Sequence, residues 1–336
     1  MGLTRAWIAA ALAVACAPSS LAATRPATPD TLADVLRRAQ PGDSVVLGPG
    51  EYRNVRIAKC HFDPPVTLEA SKATFHGLLF ADCEGVTLNG GEYRLPPPVI
   101  NPTTGAQALS MALRFDRSGN MIVRNGRFIG PGHPDTGDGF AFGEGYGFMA
   151  NRGDGFVVED SSFTGFEASV VFYRADNFRV SRITSTAVRS DGVDIAESHH
   201  GVIEYVQCSG TVIRDKEHPD CIQGWSNKAS IPTSDIVVRH NSVTGNTQGI
   251  NFFNHASIGQ DTGGFDRISI EDNDVEVSFA AGITLDDGRD SIVRRNHVRT
   301  LGNAKNRATL RTTGAKACGN VVEPGAGKPG YSDDKC

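Results

Sequence analysis

The sequence predicts an all-β chain wound into a parallel β-helix solenoid, with a short capping helix near its amino-terminal end. Three observations carry that expectation. Short segments rich in β-branched residues recur, each too brief for a helix. Glycine is abundant, at 38 of 336 residues, as a chain of many turns requires. Above all, the segments repeat in register. The lines open at Gly147-Phe148, Ser169-Val170, Gly192-Val193, Cys221-Ile222, Gly249-Ile250, Gly282-Ile283 and Thr309-Leu310, each a small residue followed by an apolar one. Between the apolar residues the steps are 22 and 23 residues, then 29, 28, 33 and 27. This pattern reads as loops inserted at fixed corners of one unit, which buries its inward side chains only by stacking on its neighbours. A second short strand follows in each line, as at Gly155-Phe156-Val157-Val158 and Asp235-Ile236-Val237-Val238, and then a polar corner such as Arg239-His240-Asn241.

Taken in order, residues 1–22 form a secretory signal: Arg5, an apolar run from Ala6 to Ala15, and a small-residue cleavage site at Ser20-Leu21-Ala22. The run is too short for a membrane span, and no later stretch is long and apolar enough. Residues 23–336 are expected to be one exported β-helix domain, secreted or periplasmic, with no membrane insertion and as a monomer. Thr31 to Ala39 has helical spacing, Pro41-Gly42-Asp43 ends it, and Ser44-Val45-Val46-Leu47 is expected to open the first coil, whose edge the helix covers. The six cysteines left after the signal suit an oxidising compartment and are paired here as Cys60–Cys83, Cys208–Cys221 and Cys318–Cys336. A net charge of −5 and a pI near 6.0 give no basic track for nucleic acid or an anionic membrane. The Gly-rich segment beginning at Gly130 is expected to be a long loop along a groove.

Strand alternation turns the repeat into geometry. If Val193, Ile222, Ile250 and Ile283 point into the coil, Asp194, Gln223, Asn251 and Thr284 point out as a polar ladder with a step of about 4.8 Å. Two residues further along lie Tyr173, Ala196, Trp225, Phe253 and Asp286. Trp225 and Phe253 are then flat aromatic faces on which a sugar ring stacks, unless loops fold over them. One step before the strand runs a column of Asp191, Asp220 and Gln248. Carboxyl groups a rung apart resist ionising together, an arrangement suited to acid–base work; turn aspartates also cap backbone amides.

The stretch DKEHPDCIQG, residues 215–224, is the corner that enters this ladder. Pro219 fixes its backbone and holds His218 beside Asp220. Arg189-Ser190-Asp191 occupies the same corner one rung earlier and adds a cation.

The opening LADVLRRAQPGDSVVLGPGEY, followed by PPVTLEASKATFHGLLFADCEGVTLNGGEY, resembles the amino-terminal region of secreted right-handed β-helix proteins, among them the alginate lyase and chondroitinase B family. Together with the later rungs, this resemblance to the pectin-lyase-like superfamily covers most of the chain. It implies the right-handed parallel β-helix and a polysaccharide partner, and leaves lyase, hydrolase, epimerase and non-catalytic adhesin open. Ser190-Asp191-Gly192-Val193-Asp194 and Pro219-Asp220-Cys221-Ile222 resemble two polygalacturonase motifs, in which Asp191 and Asp220 match the carboxylates that activate water. Pro219 stands where that family has its general acid, Gln248-Gly249 stands where its histidine would be, and His218 would have to serve as donor. Gly192-Val193-Asp194 also resembles the Gly-Phe-Asp of mannuronan C5-epimerases, although Ile195-Ala196 replaces the Pro-His that follows there.

Elimination from a uronate-containing polysaccharide is the favoured reading. It needs a base at C5, a group that neutralises the carboxylate, and a proton donor. His218 or Lys216 is the expected base. Arg189 with Gln223 and Asn251, or a calcium ion on Asp191, Asp194 and Asp220, would hold the carboxylate. Trp225, Phe253, Tyr173 and His255 complete the expected substrate contacts. The alternatives are a hydrolase, a C5-epimerase and a non-catalytic glycan-binding protein.

Overall fold

The computed structural model describes residues 22–97, 99–100, 102–103, 105, 108–131, 143–213, 217–226, 231–254 and 262–323. Among them, thirty strands form one sheet in which every pairing given in register is parallel, and the one helix is Leu32–Arg38. The coil begins earlier than expected. Strand Thr24–Ala27 precedes the helix and pairs with Ser44–Leu47, which in turn pairs with His61–Glu69. Asp43 locks this end: its carboxylate accepts the backbone N–H groups of Gln40 and Ala23 and pairs with Arg25, and these partners hold it at about 2. The expected signal falls on residues 1–22, of which 1–21 lie outside the described residues.

Each coil turns at three corners, and single left-handed residues make the turns. Arg174, Arg182 and Ala187 serve in one coil, and Glu197, Tyr205 and Gly210 in the next. Such residues cost roughly 1–2 kcal/mol each where glycine is not used. Cross-rung contacts offset this: Arg182 grips Asp160 with two nitrogens and reaches Glu159, and Arg295 grips Asp272 in the same way.

The interior is stacked by type. Tyr93, Phe128 and Phe163 stack along the axis with centroids 4.4 and 4.3 Å apart. At the second corner of the later coils the stack is instead asparagine. Asn241, Asn273, Asn296 and Asn320 each pass an amide N–H to the carbonyl oxygen of the next, at 2.9, 2.9 and 3.0 Å. Buried amides demand such partners, so the ladder fixes the register of four rungs. The expected disulfides Cys60–Cys83 and Cys208–Cys221 are formed; Cys336 lies outside the described residues.

One feature of the repeat positions everything that follows. The small residue opening each line faces inward as well as the apolar residue after it. A Cβ on Gly192 would lie 2.5 Å from the Cys221 carbonyl oxygen and 2.7 Å from Cys208 Sγ, Ser169 bonds Ser185 inside the coil, and Cys221 is tied to Cys208. Two successive inward residues break the alternation, so the residues on either side of the pair share the outer wall.

Candidate active site

Because of that inward pair, Asp191 and Asp194 bracket Gly192-Val193 and lie on one wall. Register extends the wall upward. Asp191 pairs with Asp220 and Asp220 with Gln248, while Asp194 pairs with Gln223 and Gln223 with Asn251. Below them, Tyr146 pairs with Ala168 and Ala168 with Asp191. The methyl group of Ala168 leaves the space through which Tyr146 approaches the aspartates.

Asp191 and Asp220 are buried, Asp194 is half-buried, and all three carboxyl groups accept hydrogen bonds. Asp191 accepts the Ser190 hydroxyl at 2.7 Å and the Asp220 backbone N–H at 3.3 Å. Asp194 accepts the Trp225 indole N–H at 2.6 Å. Asp220 accepts the Gln223 amide at 3.1 Å and that of Asn251. Burial raises Asp191 well above the usual carboxylate range, and Asp194 and Asp220 add to the effect. Burial pushes Asp194 up to about 7, against the pull of the Trp225 N–H. Burial also raises Asp220, opposed by His218, Asn251 and Gln223. Tyr146 is pushed up to about 12, by burial first and then by the neighbouring Glu167, Asp194 and Asp191 charges. His218 is exposed, with Nδ1 3.8 Å from Asp220 Oδ2. That distance makes an ion pair rather than a hydrogen bond, and Asp220 raises the imidazole above its ordinary value.

Beside this group a cavity of about 350 Å³ is lined by His218, Gln223, Trp225, Gln248 and Phe253 among others. The two aromatics expected to meet a sugar thus share one cavity with the histidine.

Other residues stand differently from the sequence expectation. Asn251 is on the expected column yet fully buried, with its amide spent on Asp220; it orients that carboxylate and does not face a groove. Arg189 is bracketed by Glu167, at 2.9 Å, and by Glu217, so two carboxylates already claim its charge. Tyr173 lies under the guanidinium of Arg174, 4.9 Å from its ring centre. Lys216 and His255 lie outside the described residues, as do residues 132–142 of the Gly-rich segment expected to be a loop from Gly130 to Gly155; its last part is instead within strand Tyr146–Glu159. Among the described residues, no group of three or more His, Cys, Asp or Glu side chains is arranged to hold a metal ion. Asp191, Asp194 and Asp220 turn oxygens toward N–H and O–H donors, so this donor set does not fit the calcium cage expected as an alternative. Tyr146 and Glu167 are absent from the expected site because they come from earlier rungs and belong to no motif; only their place in the columns could have exposed them.

No protein-family model matches the chain, and no curated protein matches it in sequence. Solved structures do match in shape. An alginate lyase from Paenibacillus sp. str. FPU-7 superposes with a TM-score of 0.51 at 16% identity, over 90% of this chain and 96% of that one. PfbA, a surface adhesin of Streptococcus pneumoniae, superposes with a TM-score of 0.59 at 10% identity, over 84% and 79%. A tailspike protein of E. coli bacteriophage HK620, in complex with a pentasaccharide, gives 0.52 at 13% identity, over 86% of this chain and 56% of that one. Their activities differ while their architecture agrees, and the agreement joins the coil, the corners and the stacked interior into one conclusion: the chain has the parallel β-helix fold of the pectin-lyase-like proteins.

Proposed function

We propose that this is an exported glycan-processing enzyme that cleaves a glycosidic bond by acid–base hydrolysis on the wall built by Asp191, Asp194 and Asp220. The observation that carries this reading is Asp194. It is half-buried, burial pushes its pKa up to about 7, and it stands one rung from the His218–Asp220 pair. Hydrolysis with inversion needs one group that protonates the leaving oxygen and another that takes a proton from water. His218, kept protonated by Asp220, serves as the donor at the cavity. Asp194, ionised from about neutral pH upward, takes the proton from water. Asp191, raised by burial and by the charges of Asp194 and Asp220, resists ionising beside them, and Trp225 holds Asp194 in place through its indole N–H. The two disulfides suit an oxidising compartment, secreted or periplasmic. No helix among the described residues is long and apolar enough to cross a membrane.

Elimination from a uronan is a second reading, favoured by the likeness to an alginate lyase. His218 or Lys216 would be its base, and Arg189 would have to leave Glu167 and Glu217 to hold a carboxylate. The deciding experiment incubates the protein with a broad glycan panel. New reducing ends without ultraviolet absorbance support hydrolysis, and absorbance from an unsaturated sugar supports elimination. A changed uronate ratio without cleavage supports epimerisation, and glycan binding with none of these products leaves a binding protein.

A further inference from the structure

We propose that the cavity between Trp225, Phe253 and Gln248 takes a neutral, hydroxyl-rich sugar and discriminates against a uronate. The proposal rests on the reading of this wall as a glycan site and narrows its substrate class. It begins from an inventory of donors. Uronate recognition requires donors or cations free to face the carboxylate, because that group only accepts hydrogen bonds. Apart from His218, whose charge is paired with Asp220, the wall's side-chain donors are turned inward: Trp225 Nε1 to Asp194, Gln223 Nε2 to Asp220, and Asn251 Nδ2 to Asp220. What remains is the opposite. Of five buried side-chain polar atoms without a hydrogen-bond partner among the described residues, three belong to the wall or its entering corner, and all three are acceptors: Gln248 Oε1, Asn251 Oδ1 and Glu217 Oε2. Gln248 itself lines the cavity, and its amide matches a hydroxyl, which can both donate and accept.

The charges agree with the donors. Arg189, next to Ser190 and Asp191 in the chain, faces both Glu167 and Glu217, so this group carries one more anion than cation. His218 is matched by Asp220, and Asp191 and Asp194 add only negative charge as they ionise. A uronate placed there would lose its hydration and meet repulsion with no spare cation. A neutral sugar instead brings hydroxyl donors for the acceptors and an apolar ring face for the aromatics. This departs from the acidic polysaccharide expected from the sequence.

The test uses the full mature chain carrying Asp194→Asn, which binds without turnover, and measures affinity near neutral pH. The probes are matched pairs: oligogalacturonate with its carboxyl-reduced form and alginate oligomers with theirs, beside an array of neutral glycans. The expected result is at least ~tenfold tighter binding of the neutral member than of its uronate partner, the size of a single uncompensated charge contact. Gln248→Arg should restore uronate binding. Equal or tighter binding of the uronates overturns the proposal. Reducing-end release by the unaltered protein is scored separately: neutral glycans bound but never cleaved support the ligand class and remove the hydrolytic reading. Failure of the neutral glycans alone overturns the proposal and leaves the glycan site standing; failure of neutral and uronate probes alike overturns both.

Discussion

Replacing Asp194 by asparagine should make the protein more stable at alkaline pH while abolishing its turnover. The magnitude follows from the carboxyl's environment. Its ordinary value is 3.8, and burial pushes it up to about 7. At 1.36 kcal/mol per pH unit, that difference corresponds to roughly 4 kcal/mol. The sign is set by which state holds the proton. Below about pH 3.8 both states are protonated and nothing is lost. Between there and about 7 the unfolded chain ionises while the folded one keeps its proton, so stability falls as pH rises. Above about 7 the whole loss is present. Asparagine never ionises, and its carbonyl oxygen still accepts the Trp225 indole N–H. The figure is an upper bound, because Asp194 is only half-buried and the cluster also includes Asp191 and Asp220. A rise of several degrees in the melting temperature at pH 8, fading to nothing by pH 4, is the expected outcome of parallel thermal melts. If the variant melts at or below the unaltered protein at pH 8, the carboxyl is not held protonated by burial, and the acid–base reading loses its central group.

Further consequences are equally direct. Trp225→Phe keeps the ring and removes the N–H that lowers Asp194, so the acidic limb of the pH–rate profile should move to higher pH; an unmoved limb would mean that Asp194 is not the titrating base. Arg189→Met leaves Glu167 and Glu217 beside each other without their cation and should cost about 3 kcal/mol in denaturant titration, since removing one partner strands the other charges. Asn273→Ala removes the acceptor of two Asn241 donors and the donor to the Val238 carbonyl; a loss of about 3 kcal/mol is expected, read as a lower denaturant midpoint with the slope unchanged. Reducing the Cys208–Cys221 bond, which closes a separation of 13 residues, should cost about 3 kcal/mol and lower the melting temperature under reductant.

The fold was legible because a solenoid repeats its instruction. Val193, Ile222, Ile250 and Ile283 follow one another at the core face in register, as their spacing implied, and the cysteines at 60 and 83 and at 208 and 221 stack where the lines bring them together. The site was only half legible, for a reason that lies in the same geometry. A line of sequence shows what one rung offers to the wall, but the state of each group depends on rungs that the chain reaches tens of residues away. Arg189 looked like a free cation until Glu167 and Glu217 closed on it from other turns. Asn251 looked exposed because alternation turns it outward, yet it is buried and bound to Asp220. Tyr146 carried no signal at all, since its approach depends on Ala168 being small one rung above. Columns, not motifs, are therefore the unit in which such a wall has to be read: the residue that sets a group's charge is its neighbour across the 4.8 Å step, whatever their separation in the chain.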